Sequence, residues 1–313
     1  MRLPMLLTVS LLTTCVAVQS VAAGDLRVMT TTTDLAALTA AVGGNLVKVD
    51  AIARGSQDPH YVDARPSYMR RLHGADLLVF NGLELEIGWL PLLVEGSRNP
   101  RLAAGADGIL DASTGLPILE IPTMELDRSR GDIHPGGNPH YTLSPLNGRR
   151  ISGTILSRLQ ELRPDQASYF EERREHFTFE LDTHLAAWKE RTRSWRGTKI
   201  IAHHKQWEYL AAWLGLEIVA YIEEKPGIPP TPRHVSELVT LIEREQIRVI
   251  LRSTFAEERP SDRLAQRTSA RVVELPAAVG AVAEANNYIS LIDVILDRLE
   301  TSMSEEPVPG EGS

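Results

Sequence analysis

Two stretches of this 313-residue chain show the same alternation of short apolar runs with longer helical periods. In the first stretch, the runs at 26–30 and 47–52 predict buried strands, and residues 34–42 between them have the period of a helix that Asp34 could cap. In the second stretch, which begins after Gly197, the same alternation resumes. This pattern is typical of parallel sheets with helices on both faces. The sequence therefore predicts an α/β fold with two doubly wound parallel-sheet domains.

A long helical period joins the two stretches. From Asp165, which could cap a helix, to about residue 194 the sequence contains neither glycine nor proline. A helix of that length would span about 45 Å at 1.5 Å per residue, so we expect one long, rigid connecting helix. The predicted division is a signal peptide (1–23), an N-terminal α/β domain (24–163), the connecting helix (164–195), a C-terminal α/β domain (196–304) and a disordered tail (305–313).

The first 23 residues have the features of a targeting segment. Arg2 precedes an apolar run at 3–21, and the small residues Val21-Ala-Ala23 come before the charged Asp25. This pattern predicts a secretory signal peptide that is cleaved after Ala23. A retained membrane anchor is the alternative, although the run is short for a span and is interrupted by polar residues. We expect a periplasmic protein.

Composition narrows the chemistry of the mature chain. The formal net charge of −8 disfavours nucleic acid as a partner, because nucleic acid binds basic surfaces. The single cysteine, Cys15, lies within the predicted signal peptide, so the mature chain would have neither a disulfide nor a thiolate. Any metal site must therefore use nitrogen and oxygen ligands.

Three of the nine histidines follow a predicted strand or a rigid corner. His60 and His140 each come directly after a proline, which fixes the local φ, and His204 comes just after the apolar run at 199–202. Neutral imidazole is the commonest protein ligand for first-row metals, although a single histidine is more often a hydrogen-bonded structural residue. The three together predict a metal site.

Two further histidines compete with these three. On a helix that starts near residue 203, His204 would face inward with Trp207, whereas His203 would turn away by about 100°. His134 belongs to the same loop as His140, rich in glycine and proline, and is a candidate secondary or transient metal contact.

Four motifs of the chain resemble, in the same order, those of a known family. They are Asp58-Pro-His60, the segment 75–86 that ends in Asn81-Gly-Leu-Glu-Leu-Glu86, Gly137-Asn-Pro-His140-Tyr-Thr-Leu, and His204-Lys-Gln-Trp207-Glu-Tyr209. The family is that of the zinc- and manganese-binding solute receptors of bacterial ABC importers. The similarity covers nearly the whole mature chain, and the combination of motifs is specific.

The resemblance implies two α/β domains joined by a rigid helix, with Zn2+ held in the cleft between them as the transported ligand. It implies the membrane permease of an ABC transporter as partner, and it carries the family's histidine ligands onto His60, His140 and His204. We expect a monomer without enzymatic activity. A periplasmic metallochaperone is a further candidate partner.

The fourth ligand departs from the family pattern. Many relatives have an aspartate near the C-terminus, just before a Ser/Thr-Tyr pair, but the matching stretch here is Ala285-Asn-Asn-Tyr288. The proline-rich loop 222–232 offers Glu223 and Glu224 instead, and it is similar to a loop that is well marked in one branch of the family. We expect Glu223 to be the ligand, with Glu224 and water as alternatives. The long histidine-rich loop of the family is also missing.

A site with three imidazoles and at most one carboxylate suits zinc, which readily takes four nitrogen and oxygen ligands. Manganese prefers more oxygen ligands, so a manganese receptor of the same type is the alternative. An exported zinc hydrolase is the rival class, because three histidines and a water also describe catalytic zinc. However, the sequence has no H-E-x-x-H pair. An adhesin or structural protein would leave the histidines unexplained.

Overall fold

The structure, a computed structural model, describes residues 25–122, 134–224 and 228–304. Strands and helices alternate along these residues. The strands are β1 (Leu26–Thr30), β2 (Val47–Ala51), β3 (Leu77–Phe80), β4 (Ile109–Asp111), β5 (Lys199–Ala202), β6 (Glu217–Tyr221), β7 (Val249–Ser253) and β8 (Arg271–Leu275). The α-helices are α1 (Thr33–Gly43), α2 (Pro66–His73), α3 (Leu90–Ser97), α4 (Pro145–Leu162), α5 (Ala167–Arg191), α6 (Glu208–Leu214), α7 (Pro232–Glu245), α8 (Glu258–Ala265) and α9 (Tyr288–Ser304).

The strands form two parallel sheets of four strands each, in the orders β2-β1-β3-β4 and β6-β5-β7-β8. In the first sheet, for example, Val28 of β1 pairs with Val49 on one side and with Leu77 on the other. The strand order reverses next to β1 and, in the same way, next to β5. Open α/β sheets bind ligands at the carboxyl ends of the strands at this position. The predicted α/β fold of two parallel-sheet domains with a long helix between them is confirmed.

Apolar burial holds the helices to the sheets and to one another. A large cluster of buried side chains includes Leu38 of α1, Phe177 of α5 and Ile292 of α9, together with strand residues from both sheets. Fully burying one such side chain stabilises the fold by about 1.5–3 kcal/mol. Because this cluster crosses from one sheet to the other, α5 is packed within a common core and is not an exposed tether.

The connecting helix is shorter than predicted. Helix α5 has 25 residues, which corresponds to about 37 Å at 1.5 Å per residue. The 3-10 turns Pro164–Gln166 and Arg193–Trp195 flank it, so Asp165 lies within a turn and does not cap the helix.

Helix α4 begins with a proline, Pro145. Proline is tolerated at the first helical position, because the N–H that it lacks would have no intrahelical partner there.

Asp34 has a different role from the one predicted. Thr32 occupies the N-cap position of α1, and Asp34 lies in the first turn. Its two carboxylate oxygens accept hydrogen bonds from the backbone N–H of Val279, at 2.7 Å, and from Thr142 Oγ1, at 2.8 Å. Burial raises the pKa of Asp34 to about 6, against the effect of both hydrogen bonds. The carboxylate therefore links the first domain to a loop of the second.

Two other expectations also need correction. Helix α6 begins at Glu208, so His203 and His204 lie in the turn after β5. The two histidines therefore do not lie on a helical face as predicted, because the turn sets the directions of both side chains. Strand β4 was not predicted, since its three residues are too short for a recognisable apolar run.

The predicted signal peptide and tail lie outside the described residues, as do residues 123–133 and 225–227. Among the helices that the structure describes, none combines the length and the apolar content that a membrane crossing requires.

Candidate metal centre

His60 is held by a tight local turn after β2. The Asp58 Oδ1 atom accepts a hydrogen bond from the backbone N–H of His60, at 2.9 Å, and lies 2.7 Å from the Nδ1 atom of the same ring. The Trp89 indole N–H donates to the carbonyl oxygen of Pro59, at 2.9 Å. These contacts fix both the backbone and the ring of His60.

The electrostatics of this pair define the tautomer of His60. Burial works to raise the pKa of Asp58, but the hydrogen bonds and charge of His60 outweigh it and hold the pKa below its ordinary value. An ionised carboxylate can only accept, so Nδ1 of His60 carries a proton, and in the neutral ring Nε2 then keeps its lone pair. A carboxylate on the far nitrogen is the usual support of a metal-binding histidine.

His140 lies at a constrained corner between a loop and α4. Its backbone has φ −85° and ψ 34°, close to a sparsely populated region in which active-site residues often occur. Its N–H donates to Asn138 Oδ1, at 2.9 Å, and the Asn81 side-chain amide donates to the carbonyl oxygen of Pro139, also at 2.9 Å. The His140 side chain is only 8% exposed. Burial, reinforced by the neighbouring imidazoles, holds the pKa of His140 well below its ordinary value, so the ring is neutral.

Glu86 stabilises the backbone around His140 through Asn81. Its carboxylate accepts hydrogen bonds from the backbone N–H groups of Asn81, at 2.7 Å, and Gly82, at 3.2 Å. Burial raises the pKa of Glu86 to about 7, although these hydrogen bonds oppose the shift. Asn81, which contacts the Pro139 carbonyl, is therefore positioned by a buried carboxylate.

His204 and Glu223 come from the turns after two neighbouring strands, β5 and β6. The His204 Nδ1 atom lies 3.0 Å from Glu223 Oε2, and the backbone N–H of Glu223 donates to the carbonyl oxygen of His203 at 3.0 Å. His203 is 2% exposed, and its Nε2 atom lies 3.5 Å from Glu223 Oε1. The Nδ1 contact with Glu223 directs the other nitrogen of His204 away from this carboxylate.

The fold brings the three predicted imidazoles together. The ring centroids are 5.3 Å apart for His60 and His140, 6.3 Å for His60 and His204, and 6.3 Å for His140 and His204. His134 joins the cluster, with its ring centroid 5.2 Å from that of His60 and with the two Nε2 atoms 3.1 Å apart. When the His60 ring is neutral and protonated at Nδ1, His134 is the donor in this hydrogen bond.

These rings are neighbours without yet forming a coordination shell. Among the described residues, no three histidine, cysteine, aspartate or glutamate side chains are arranged so that they could hold a metal ion.

The remaining candidates lie differently. Glu224 points toward another histidine, with its Oε1 atom 3.7 Å from His234 Nδ1, and its side chain is 55% exposed. Asn286, at the position of the missing family aspartate, is exposed, and Asn287 beside it exchanges hydrogen bonds with Ser290 at the start of α9.

Sequence reasoning missed the residues that orient the ligands, chiefly Asp58, Asn138 and Glu86. The Asp-x-His spacing was a usable signal, because an aspartate two residues before another residue often accepts that residue's backbone N–H. Asn138 has the same spacing from His140, so the same signal was present there. The contacts of Glu86 join residues four and five positions apart, in a loop whose geometry no period predicts.

Taken together, two parallel-sheet domains, a long helix between them and a cluster of imidazoles at the strand ends define a metal-binding receptor of the ABC importer class. The chain belongs to the ZnuA family, described as zinc-uptake complex component A, periplasmic, whose sequence pattern matches residues 28–302. Proteins of this family are exported receptors that bind divalent metals and work with a membrane permease and ATPase. They are not enzymes, so the zinc hydrolase considered from the sequence is set aside.

Similar proteins differ in the metal for which they are named. The chain is 21% identical over 291 residues to the manganese ABC transporter substrate-binding lipoprotein PsaA of Streptococcus pneumoniae serotype 4, covering 90% of each protein. It is 24% identical over 282 residues to the iron-binding protein YfeA of Yersinia pestis, covering 87% of this chain and 85% of that protein. Among solved structures, a ZnuA deletion mutant (138–173) with zinc bound has a TM-score of 0.76 at 23% identity, covering 90% of this chain and all of that one.

Proposed function

We propose that the mature chain captures Zn2+ between its two domains and delivers it to the permease of an ABC importer. In this proposal residues 1–23 are a signal peptide removed on export, and the domains 24–163 and 196–304 enclose the metal on either side of the connecting helix 164–195. The single observation that supports it best is the convergence of three imidazoles from three separate loops, within 6.3 Å of one another.

The proposed ligands are His60, His140 and His204, each through the ring nitrogen that faces the other two. Support comes from the Asp58 carboxylate on the far nitrogen of His60, which orients the ring and increases its basicity. The low pKa of His140 favours binding for a different reason, because a ring that is already neutral has no proton to lose before it binds a metal.

Glu223 is the proposed fourth ligand. Its carboxylate already lies beside His204, whereas Glu224 lies beside His234 and is largely exposed. For Glu223 to bind metal, at least one oxygen has to leave the imidazole nitrogens that it now contacts. If Glu223 keeps its contact with Nδ1 of His204, it acts as the orienting partner of that ring and water completes the shell.

Zinc is the proposed cargo because of the donor set. Imidazoles with one carboxylate satisfy four-coordinate zinc, while manganese favours sites richer in oxygen. The relatives named for manganese and for iron make these two metals the competing candidates. We also propose that the receptor is a monomer and that a periplasmic metallochaperone is a candidate donor of the metal.

The test is a competition titration of purified, metal-free protein with Zn2+, Mn2+ and Fe2+ against chelators of known affinity, with elemental analysis of the complex. We expect one tightly bound zinc, weaker binding of the other two metals, and losses of affinity by orders of magnitude in His60→Ala, His140→Ala and His204→Ala. His176→Ala, on the exposed face of α5, is the matched control. Wild-type affinity in all three site variants would refute the ligand assignment.

A second pair of variants addresses the fourth ligand. If Glu223 binds zinc directly, Glu223→Ala should weaken binding more than Glu224→Ala does. Zinc affinity that is unchanged in the double variant would give the fourth position to water.

A further inference from the structure

The side chain of Asn138, two residues before His140, lies between two carboxylates. Its Nδ2 atom is 3.0 Å from Glu120 Oε2 and 2.9 Å from Glu208 Oε2. Glu120 belongs to the same domain as Asn138, whereas Glu208 is the first residue of α6 in the other domain. A single amide therefore donates to acceptors on both sides of the cleft.

The other atoms of Asn138 contact the proposed metal ligand His140 and the side chain of Tyr209. Its Oδ1 atom accepts the backbone N–H of His140 at 2.9 Å, and this contact fixes the orientation of the amide, because only Nδ2 can donate to the carboxylates. The carbonyl oxygen of Asn138 accepts from the Tyr209 hydroxyl, at 3.0 Å. The side chain is buried, with 6% exposure, so these hydrogen bonds do not compete with bulk water.

Glu208 is itself held in place. The Tyr221 hydroxyl donates to its Oε1 atom at 2.7 Å, which leaves Oε2 for Asn138. Burial raises the pKa of Glu208, with the nearby charge of Glu120 adding to the shift and the hydrogen bonds opposing it. Glu120 in turn is paired with Lys205, at 2.7 Å. Glu208 is thus held in a partly buried position, with Asn138 as one of its hydrogen-bond partners.

We propose that Glu208 and Asn138 are positioning residues that transmit the placement of the second domain to His140. The inference rests on the proposed function and names a residue of the opposite domain that adjusts one ligand of the site. Glu208 does not contact the metal in this scheme and acts only through the Asn138 amide. His140 sits in a sparsely populated backbone region, and such a conformation persists only when several contacts determine it.

The test is a double-mutant cycle on zinc affinity. Glu208→Ala and Asn138→Ala should each weaken zinc binding by about ten- to a hundredfold, as loss of outer-shell partners does. Because the first residue acts through the second, the double variant should bind no more weakly than Asn138→Ala alone. Glu208→Gln keeps an acceptor for Asn138 and a donor for Tyr221, so it should recover most of the affinity.

The second readout is the visible absorption spectrum of the Co2+-loaded protein, which reports ligand geometry and does not respond to a loss of stability alone. The bands should shift in Glu208→Ala and return in Glu208→Gln. Asp293→Ala is the matched control, because it removes the hydrogen bond from the Trp188 indole to a carboxylate of α9 and should lower Tm without changing zinc affinity or the Co2+ spectrum.

Several outcomes would overturn the proposal. Wild-type affinity and spectrum in Glu208→Ala would do so, as would additive losses in the double variant, which would mean that the two residues act independently. If wild-type protein bound no zinc, the proposed function itself would fail. That result is distinguishable, because it would appear before any variant is made.

Discussion

Replacing Glu86 by glutamine should change how the stability of the protein depends on pH. The carboxyl group is buried beneath the His140 corner, and its pKa is raised from 4.5 to about 7. Since the folded state holds this proton more tightly than the unfolded state, the contribution to the free energy of unfolding is fully present below pH 4.5. It is lost as pH rises through about 7.

The magnitude follows from the two pKa values. The difference between about 7 and 4.5 corresponds to about 3 kcal/mol at 1.36 kcal/mol per pH unit, most of which is lost between pH 5 and pH 8. Glutamine cannot ionise, so Glu86→Gln removes this dependence. It also replaces one of the two acceptor oxygens, but that cost is independent of pH.

The assay is urea unfolding of metal-free protein, followed by tryptophan fluorescence, at pH 5 and pH 8 for wild type and variant. The free energy of unfolding of wild type minus that of Glu86→Gln should fall by about 2–3 kcal/mol from the lower to the higher pH. Contributions from Asp34 are present in both proteins and cancel. Glu95→Gln, on the exposed surface of α3, is the matched control for loss of a carboxylate. A difference that stays constant with pH would refute the reasoning.

Three further predictions concern the site and its surroundings. Asp58→Ala should weaken zinc binding about ten- to a hundredfold, because His60 loses its orienting carboxylate; equal affinity in a chelator competition would contradict this. Gly55→Ala should destabilise the fold by about 1–3 kcal/mol, since the new Cβ would lie 2.2 Å from the Val279 carbonyl oxygen; unchanged Tm by calorimetry would refute it. Zinc affinity should decrease between about pH 7.5 and 5, because protons compete for imidazole; a flat profile would argue against imidazole ligands.

Most of the architecture could be predicted from apolar periodicity. Strands β1 and β5 lie where the sequence predicts them, because each is a short and mostly apolar run. The limits appear where another contact competes with local preference. Asp34, for example, has the position of a helix cap, but its carboxylate binds Val279, 245 residues away, and no local pattern contains that information.

The candidate site likewise combines features that the local sequence predicts with features that depend on contacts between distant residues. The grouping of His60, His140 and His204 could be predicted because all three follow strands or rigid corners, and the ends of parallel strands converge. The prediction that His204 and not His203 faces the site depends on a helix near residue 203, but helix α6 begins only at Glu208. The roles of Asn138 and Glu208 depend on contacts across the cleft, which become visible only when both domains are placed.

The shared strand order of the two sheets has a consequence for the binding of the proposed cargo. β2 in the first sheet and β6 in the second occupy corresponding edge positions, yet the turn after one bears His60 and the turn after the other bears Glu223. The two halves therefore contribute different numbers of imidazoles, two from the N-terminal half and one from the C-terminal half. If His60 and His140 bind the proposed ion, the N-terminal half supplies two of its ligands, so we expect this half to hold the ion more tightly than the half that supplies His204.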